Sequence, residues 1–152
     1  MKVPNFLQIL NVLYVDIRQK TLSQFTRDNM IKYIGVNDHE IDLFEGQFEV
    51  PNGMAYNSYL ILADKIAVMD SVEEKFGQEW LSKLEKELSQ AGAQAPDYLI
   101  VQHMEMDHSS SINLFLEKYP QAKIVASKMA FTIMKNLFGS DYPQQDSSAT
   151  PT

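Results

Sequence analysis

The second half of the chain alternates short apolar runs with segments of helical periodicity, and this alternation constrains the fold more than any other feature. Residues 98–101 and 123–126 are apolar runs of the kind found in buried strands. Helical patterns are predicted over about residues 110–117 and 128–138. Strands that alternate with helices are typical of βαβ units, in which helices cover a parallel sheet. We therefore predict an α/β fold for this half.

A longer helix is predicted ahead of these units, with a natural stop at Gly92. Ser71 and Glu74 match a capping box, in which each side chain satisfies a free backbone N–H at the helix start. The apolar stripe of this helix consists of Phe76, Trp80, Leu81, Leu84 and Leu88.

Between residues 30 and 69 the pattern changes to short strands separated by turn signals. Strands are predicted over residues 31–36, 41–44, 55–62 and 65–69. Strands joined by such short connections are typical of an antiparallel β-meander. The first half of the domain is therefore predicted to be antiparallel and the second half parallel.

The two ends of the chain differ from the region between them. Residues 1–29 begin with apolar positions spaced along one helical face and then turn polar, which predicts a helical N-terminal extension. Residues 140–152 are rich in Ser, Pro, Gln and Thr, which is typical of a disordered tail. The folded domain is thus predicted to span residues 30–139.

Composition excludes several kinds of partner and site. The formal net charge of −7 gives no electrostatic footprint for nucleic acid or for an anionic membrane. The absence of cysteine removes disulfides, a thiol nucleophile and thiolate metal ligands. No run is long and apolar enough to span a bilayer, and no signal-peptide cleavage site follows the first apolar segment. We expect a cytoplasmic protein in which only His39, His103 and His108 are available as histidines for metal or acid–base chemistry.

The sequence His103-Met104-Glu105-Met106-Asp107-His108 directly follows the predicted strand at residues 98–101. If the backbone stays extended, side chains at alternate positions project to one side, so His103, Glu105 and Asp107 converge. His108 can join or support the same site. Open α/β sheets place their ligands at the carboxyl ends of strands, which is where this loop lies.

The donor types in this loop indicate a cation. Nitrogen and carboxylate oxygen without sulfur suit iron or manganese, and zinc is possible. In the same extended geometry Met104 and Met106 face the apolar side. The alternative is a solvated polar loop in which Asp107 and the serines behind it cap the next helix.

This loop resembles the H-x-E-x-D-H loop of flavodiiron proteins, the bacterial and archaeal enzymes that reduce dioxygen or nitric oxide. The similarity covers about residues 30–143 and implies the first half of a metallo-β-lactamase-like αββα domain. The other similar segments are residues 34–38 (IGVND), 43–46 (LFEG), 56–61 (YNSYLI) and 66–72 (IAVMDSV).

The resemblance implies that His103 and Glu105 bind one iron and that Asp107 binds the other. His108 binds the second metal in some members of the family. Asp70 is similar to a buried aspartate that supports the metal loop by hydrogen bonds, and its alternative role is that of a turn residue at a strand end. His39 matches no ligand position and is predicted to lie on the surface.

The chain also departs from the family pattern. Flavodiiron proteins take a further His, a bridging Asp and a last His from later in the domain, and then add a flavodoxin domain that binds FMN. These 152 residues contain no histidine after His108, and the flavodoxin domain is absent from them. Without the second half of the sandwich, one apolar face of the sheet is expected to stand uncovered. One hypothesis is that Met30 is the natural start and that both ends reflect a disrupted gene.

Three functions are compatible with these features. The first is the diiron portion of an oxidoreductase that reduces O2 to water or NO to N2O with electrons from FMN and a redox donor protein, and that is inactive alone. The second is a metal-dependent hydrolase, which Glu105 disfavours because hydrolytic members usually have a second His there. The third is a non-catalytic module that needs a partner chain. The intact family implies a homodimer or a partner chain.

Overall fold

The computed structural model describes residues 30–44, 46–139, 142 and 144–146. The N-terminal extension predicted at residues 1–29 lies outside the described residues. In chain order the strands are β1 (Ile31–Tyr33), β2 (Val36–Asp38), β3 (Leu43–Phe44), β4 (Phe48–Glu49), β5 (Met54–Tyr56), β6 (Tyr59–Leu62), β7 (Ile66–Met69), β8 (Tyr98–Ile100), β9 (Lys123–Ala126) and β10 (Gln144–Asp146). The helices are α1 (Gly77–Gln90), α2 (Met106–Ser109), α3 (Ile112–Lys118) and α4 (Lys128–Phe138), and a 3-10 turn at Glu74–Phe76 leads into α1.

The main sheet has six strands in the order β1-β6-β7-β8-β9-β10. The strands β1, β6 and β7 pair antiparallel, whereas β7 to β10 run parallel. The predicted change from an antiparallel first half to a parallel second half is therefore confirmed. Two small sheets, β2–β5 and β3–β4, lie outside the main one.

Two of the predicted strands are interrupted. The run predicted at residues 31–36 divides at Ile34-Gly35 into β1 and β2, which belong to different sheets. The run predicted at residues 55–62 divides in the same way into β5 and β6. A Cβ atom at Gly35 would lie 2.4 Å from the carbonyl oxygen of Tyr56, so the two crossing segments approach too closely for any larger residue.

The helices follow the sequence pattern in their positions but not always in their starts. The predicted apolar stripe of α1 is confirmed, because Trp80, Leu81, Leu84 and Leu88 are buried. The capping box is wrong: the turn begins after Glu73 without a side-chain cap, and Ser71 bonds elsewhere. Helix α4 matches the predicted range, and the hydroxyl of Ser127 caps it by accepting from the backbone N–H of Ala130.

The core lies between the sheet and its helices. The buried apolar side chains of α1, α3 and α4 pack in one cluster with the first face of the sheet. On the second face Ala67, Tyr98, Ile100 and Val125 form a smaller cluster and are at most 5% exposed. The expectation that this face stands uncovered is wrong at these four positions. At the β1 end of the same face Ile31, Tyr33 and Tyr59 are exposed, so the expectation of an uncovered apolar face is confirmed there.

The structure also differs from the predicted disordered tail. Gln144–Asp146 form β10, which pairs in parallel with β9. Composition does not reveal such a strand, because edge pairing satisfies backbone groups and does not require apolar side chains. The rest of the predicted tail, apart from Tyr142, lies outside the described residues. No helix among the described residues is long and apolar enough to cross a membrane.

Candidate metal centre

The sheet brings Asp70 and the His103–His108 loop to one edge. Strands β7 and β8 are parallel neighbours in which Met69 pairs with Ile100. Both strands therefore end at the same place, and the residues that follow them emerge side by side. The backbone N–H of Asp70 donates to the carbonyl of Ile100 at 2.8 Å, which fixes the spacing of the two chain segments.

Asp70 is the buried centre of this edge. It is 3% exposed and has a φ angle of 56°, a left-handed conformation that non-glycine residues seldom adopt. Its carboxylate accepts from the backbone N–H of Gln102 at 2.8 Å and from the side-chain amide of Gln102 at 3.0 Å. The Nδ1 atom of His108 lies 3.2 Å from the same carboxylate. Asp70 thus holds both the start and the end of the loop.

His108 lies between two carboxylates. While its Nδ1 contacts Asp70, its Nε2 lies 3.4 Å from Oδ2 of Asp107. The hydrogen bond to Asp70 raises the pKa of His108 above its ordinary value. Burial opposes this rise, and the charges of Asp107, Asp70 and Glu105 add to it.

His103 and Glu105 form a second, more exposed pair. Nδ1 of His103 lies 3.4 Å from Oε2 of Glu105, and the two side chains are 45% and 63% exposed. The rings of His103 and His108 have their centroids 4.1 Å apart, which connects this outer pair to the inner one. All four predicted ligands are therefore neighbours, in two unequal pairs.

The assumption of an extended loop is wrong beyond Glu105. Glu105 keeps an extended backbone, but α2 begins at the next residue, so Asp107 reaches the site from a helix. The prediction for the two methionines is half correct: Met104 packs on the core, whereas Met106 is 52% exposed. A helical turn changes the side-chain period from two to 3.6, which moves Met106 out to solvent.

The alternative role of this loop, helix capping, finds no support in the described contacts. Neither Glu105 before α2 nor Ser111 before α3 makes a side-chain cap hydrogen bond. The hydroxyl of Ser109 instead donates back to the carbonyls of Met104 and Glu105. These bonds close the turn of the loop, and the described acidic and imidazole side chains do not cap a helix.

The donor set fits part of a metal site. Within the described ranges, no three or more His, Asp or Glu side chains are already gathered closely enough to hold a metal ion. The chemistry of His108 nevertheless matches a metal ligand, since ligating histidines typically donate their second ring N–H to a carboxylate, as His108 does to Asp70. The residues therefore fit an iron or zinc ion in donor type.

The sequence did not predict the roles of Ser71 and Gln102. Ser71 bonds to the end of the loop, and Gln102 joins the start of the loop to Asp70. Both the backbone N–H and the hydroxyl of Ser71 donate to the carbonyl of His108, at 2.9 and 2.8 Å. The serine was interpreted as a helix cap because its local pattern is the same in both roles. Gln102 carried no signal beyond its position directly after a buried strand.

A buried acidic group beside the site was also missed. Asp38 is 1% exposed, accepts from the backbone N–H groups of Glu40 and Ile41, and forms an ion pair with Lys75. The hydroxyl of Tyr56 lies 3.5 Å from it, and burial together with nearby carboxylates raises the pKa of Tyr56 to about 12. This tyrosine therefore stays neutral at physiological pH.

Known proteins resemble this chain in both sequence and fold. It is 42% identical over 99 residues to diflavin flavoprotein A 1 of Synechocystis, which covers 65% of this chain and 17% of that protein. It is 32% identical over 103 residues to the anaerobic nitric oxide reductase flavorubredoxin of Vibrio vulnificus, covering 67% of this chain and 20% of that protein. The chain belongs to the flavodiiron protein family. No protein-family model matches it.

The solved structures support the same family. Rubredoxin oxygen:oxidoreductase from Desulfovibrio gigas superposes with a TM-score of 0.70 and 27% identity, over 78% of this chain and 29% of that one. The mixed sheet with its helices is thus the metallo-β-lactamase-like part of a flavodiiron protein. The chain spans about a fifth of the length of the two sequence relatives named above.

Proposed function

We propose that the His103–His108 loop is one half of a flavodiiron metal centre and that this chain is the corresponding part of an oxidoreductase acting on O2 or NO. The observation that carries the proposal is the pairing at His108, whose Nδ1 contacts buried Asp70 while its Nε2 faces Asp107. That arrangement fixes the ring and presents one nitrogen beside a carboxylate, as a metal site requires. Two of the proteins named above, the flavorubredoxin and the rubredoxin oxygen:oxidoreductase, carry nitric oxide or oxygen chemistry in their names.

The ligand roles follow from the two pairs. His103 and Glu105, which already contact each other, would hold one iron, and Asp107 with His108 would hold the second. Bound iron would supply reversible electron transfer and Lewis-acid activation of the gas. The chain's own residues orient these ligands: Asp70 holds the His108 ring, and Ser71 holds its carbonyl.

The proposed activity also requires groups that these 152 residues do not supply. With His39 exposed on another loop, His103 and His108 are the two histidines of these 152 residues that lie at the centre. We therefore propose no turnover by these 152 residues alone, and electrons from FMN and a redox donor protein in a longer protein or complex. The expected cytoplasmic location remains a prediction that the fold does not test.

Anaerobic titration with Fe²⁺, followed by iron and zinc analysis, tests the proposal. We expect iron to bind to the wild type, and His108→Ala to lose most of that binding. His39→Ala is the matched control, because it removes an exposed histidine outside the loop. Equal iron binding by both variants would refute the assignment. Preferential zinc binding together with esterase activity would support a hydrolase instead.

A further inference from the structure

Ser58 stands opposite Asp70 at the point where the β6–β7 ladder ends. The last backbone pair of that ladder on this side joins Tyr59 and Met69. One step further, the hydroxyl of Ser58 donates to the carbonyl oxygen of Asp70 at 2.8 Å. The backbone carbonyl of Ser58 accepts from the N–H of Ile34, on the side away from β7, so the side chain of Ser58 and not its backbone bonds to Asp70.

Trp80 fixes the direction of this bond. Its indole N–H, from α1, donates to the hydroxyl of Ser58 at 2.9 Å. Both residues are fully buried. A hydroxyl has one proton, and since it accepts from the indole, that proton is directed to the carbonyl of Asp70. The chain of bonds therefore runs from Trp80 through Ser58 to Asp70.

Asp70 needs such a restraint because its φ angle is 56°. Aspartate tolerates the left-handed region better than most residues, but the conformation persists only where the surroundings hold it. In this conformation the backbone carbonyl points to Ser58, while the carboxylate reaches Gln102 and His108. Release of the carbonyl would free the carboxylate to turn away from the loop.

We infer that Ser58 and Trp80 are positioning residues that lock the backbone of Asp70 and through it order the His103–His108 loop. Their described side-chain hydrogen bonds lead to Asp70 and not to the loop, so they act through the carboxylate of Asp70. The inference rests on the proposed function only for its metal-binding readout, because the order of the loop can be measured without metal.

The first test is amide hydrogen exchange of the metal-free chain at Gln102, whose N–H donates to Asp70. Ser58→Ala should make this amide exchange about tenfold faster, because the loop opens locally. Trp80→Phe keeps a large ring, removes only the indole donor, and should accelerate exchange less; it decides the question if Ser58→Ala does not fold. Ser82→Ala, which removes an exposed hydroxyl from α1, is the control and should change nothing.

The second test is the affinity for Co²⁺, used as a spectroscopic probe. Loss of an outer hydrogen-bond partner typically weakens metal binding by about tenfold or more, and we expect about tenfold for Ser58→Ala. Ile124→Val serves as a destabilised comparison, because it loosens the core on β9 without touching Asp70.

The possible outcomes separate the positioning role of Ser58 and Trp80 from the proposed metal centre. If Ser58→Ala and Trp80→Phe leave both exchange at Gln102 and Co²⁺ affinity unchanged, or if Ile124→Val alters them as much, the positioning role is overturned. If the wild type binds no metal while exchange at Gln102 responds to Ser58→Ala, the proposed metal centre fails and the lock on Asp70 stands.

Discussion

The inner and outer pairs of the loop contain the same chemical groups in opposite surroundings. In the inner pair, His108 and Asp107 are 21% and 13% exposed, and buried Asp70 holds the imidazole from behind. In the outer pair, His103 and Glu105 are 45% and 63% exposed, and His103 contacts Glu105 and the ring of His108. The difference teaches that one half of the loop is organised in advance by the sheet, whereas the other is a pair of surface side chains.

Removal of the Asp70 carboxylate should lower the free energy of unfolding more than any other change proposed here. It takes away the buried acceptor that supports the inner pair and leaves the outer pair intact. Asp70→Ala leaves the backbone N–H and side-chain amide of Gln102 without their buried acceptor. We expect the free energy of unfolding to fall by about 3 kcal/mol, as measured by urea denaturation. Asp64→Ala, which removes an exposed aspartate from the β6–β7 turn, is the control. Equal stability of the two variants would show that the inner pair is no better organised than the surface.

The pH dependence of the free energy of unfolding should also distinguish the inner pair from the outer pair. This effect should be smaller than that of Asp70→Ala. The pKa of His108 is raised in the folded state, chiefly by its hydrogen bond with Asp70. Its contribution to stability is therefore complete below the unfolded pKa of about 6.5 and is lost as the pH rises through the higher folded pKa. Urea unfolding across this range should show the loss in the wild type.

The matched variants locate that loss. His108→Gln should flatten this part of the pH profile, whereas His39→Ala, at an exposed histidine, should preserve it. A profile that is the same in His108→Gln and the wild type would contradict the role given to the inner pair.

The smallest effect on stability is expected at the outer pair. Glu105→Gln removes the charge of an exposed side chain, and exposed ion pairs contribute little. The free energy of unfolding should change by less than about 0.5 kcal/mol, while Fe²⁺ affinity should fall measurably. A large loss of stability would mean that the outer pair is also held in place before metal binds.

The spacing of apolar residues predicted much of the fold, because it indicates which side of a single helix or strand is buried. The apolar stripe of α1 and the range of α4 could be obtained from spacing alone. Ser71 shows the limit: its pattern matches a capping box, yet its hydroxyl bonds to the carbonyl of His108, 37 positions away. Sequence cannot rank a local partner against a distant one when both satisfy the same hydroxyl.

The loop shows the same limit in its geometry. The sequence identified the donors but not their arrangement, because the start of α2 at Met106 ends the extended backbone on which the predicted convergence depended. The burial of four residues on the second face of the sheet was likewise not predicted, because this face was expected to be uncovered. These residues are Ala67, Tyr98, Ile100 and Val125.

The mixed α/β architecture, the position of the loop after β8 and the kinds of donor atom in the loop could all be predicted from the order of the residues. The division of the four donors into a supported pair and an exposed pair could not. The physical reason is that Asp70 and His108 are 38 positions apart and meet only because β7 and β8 are parallel neighbours. Periodicity encodes which face of an element is buried, and the contacts between elements come from the packing of the sheet.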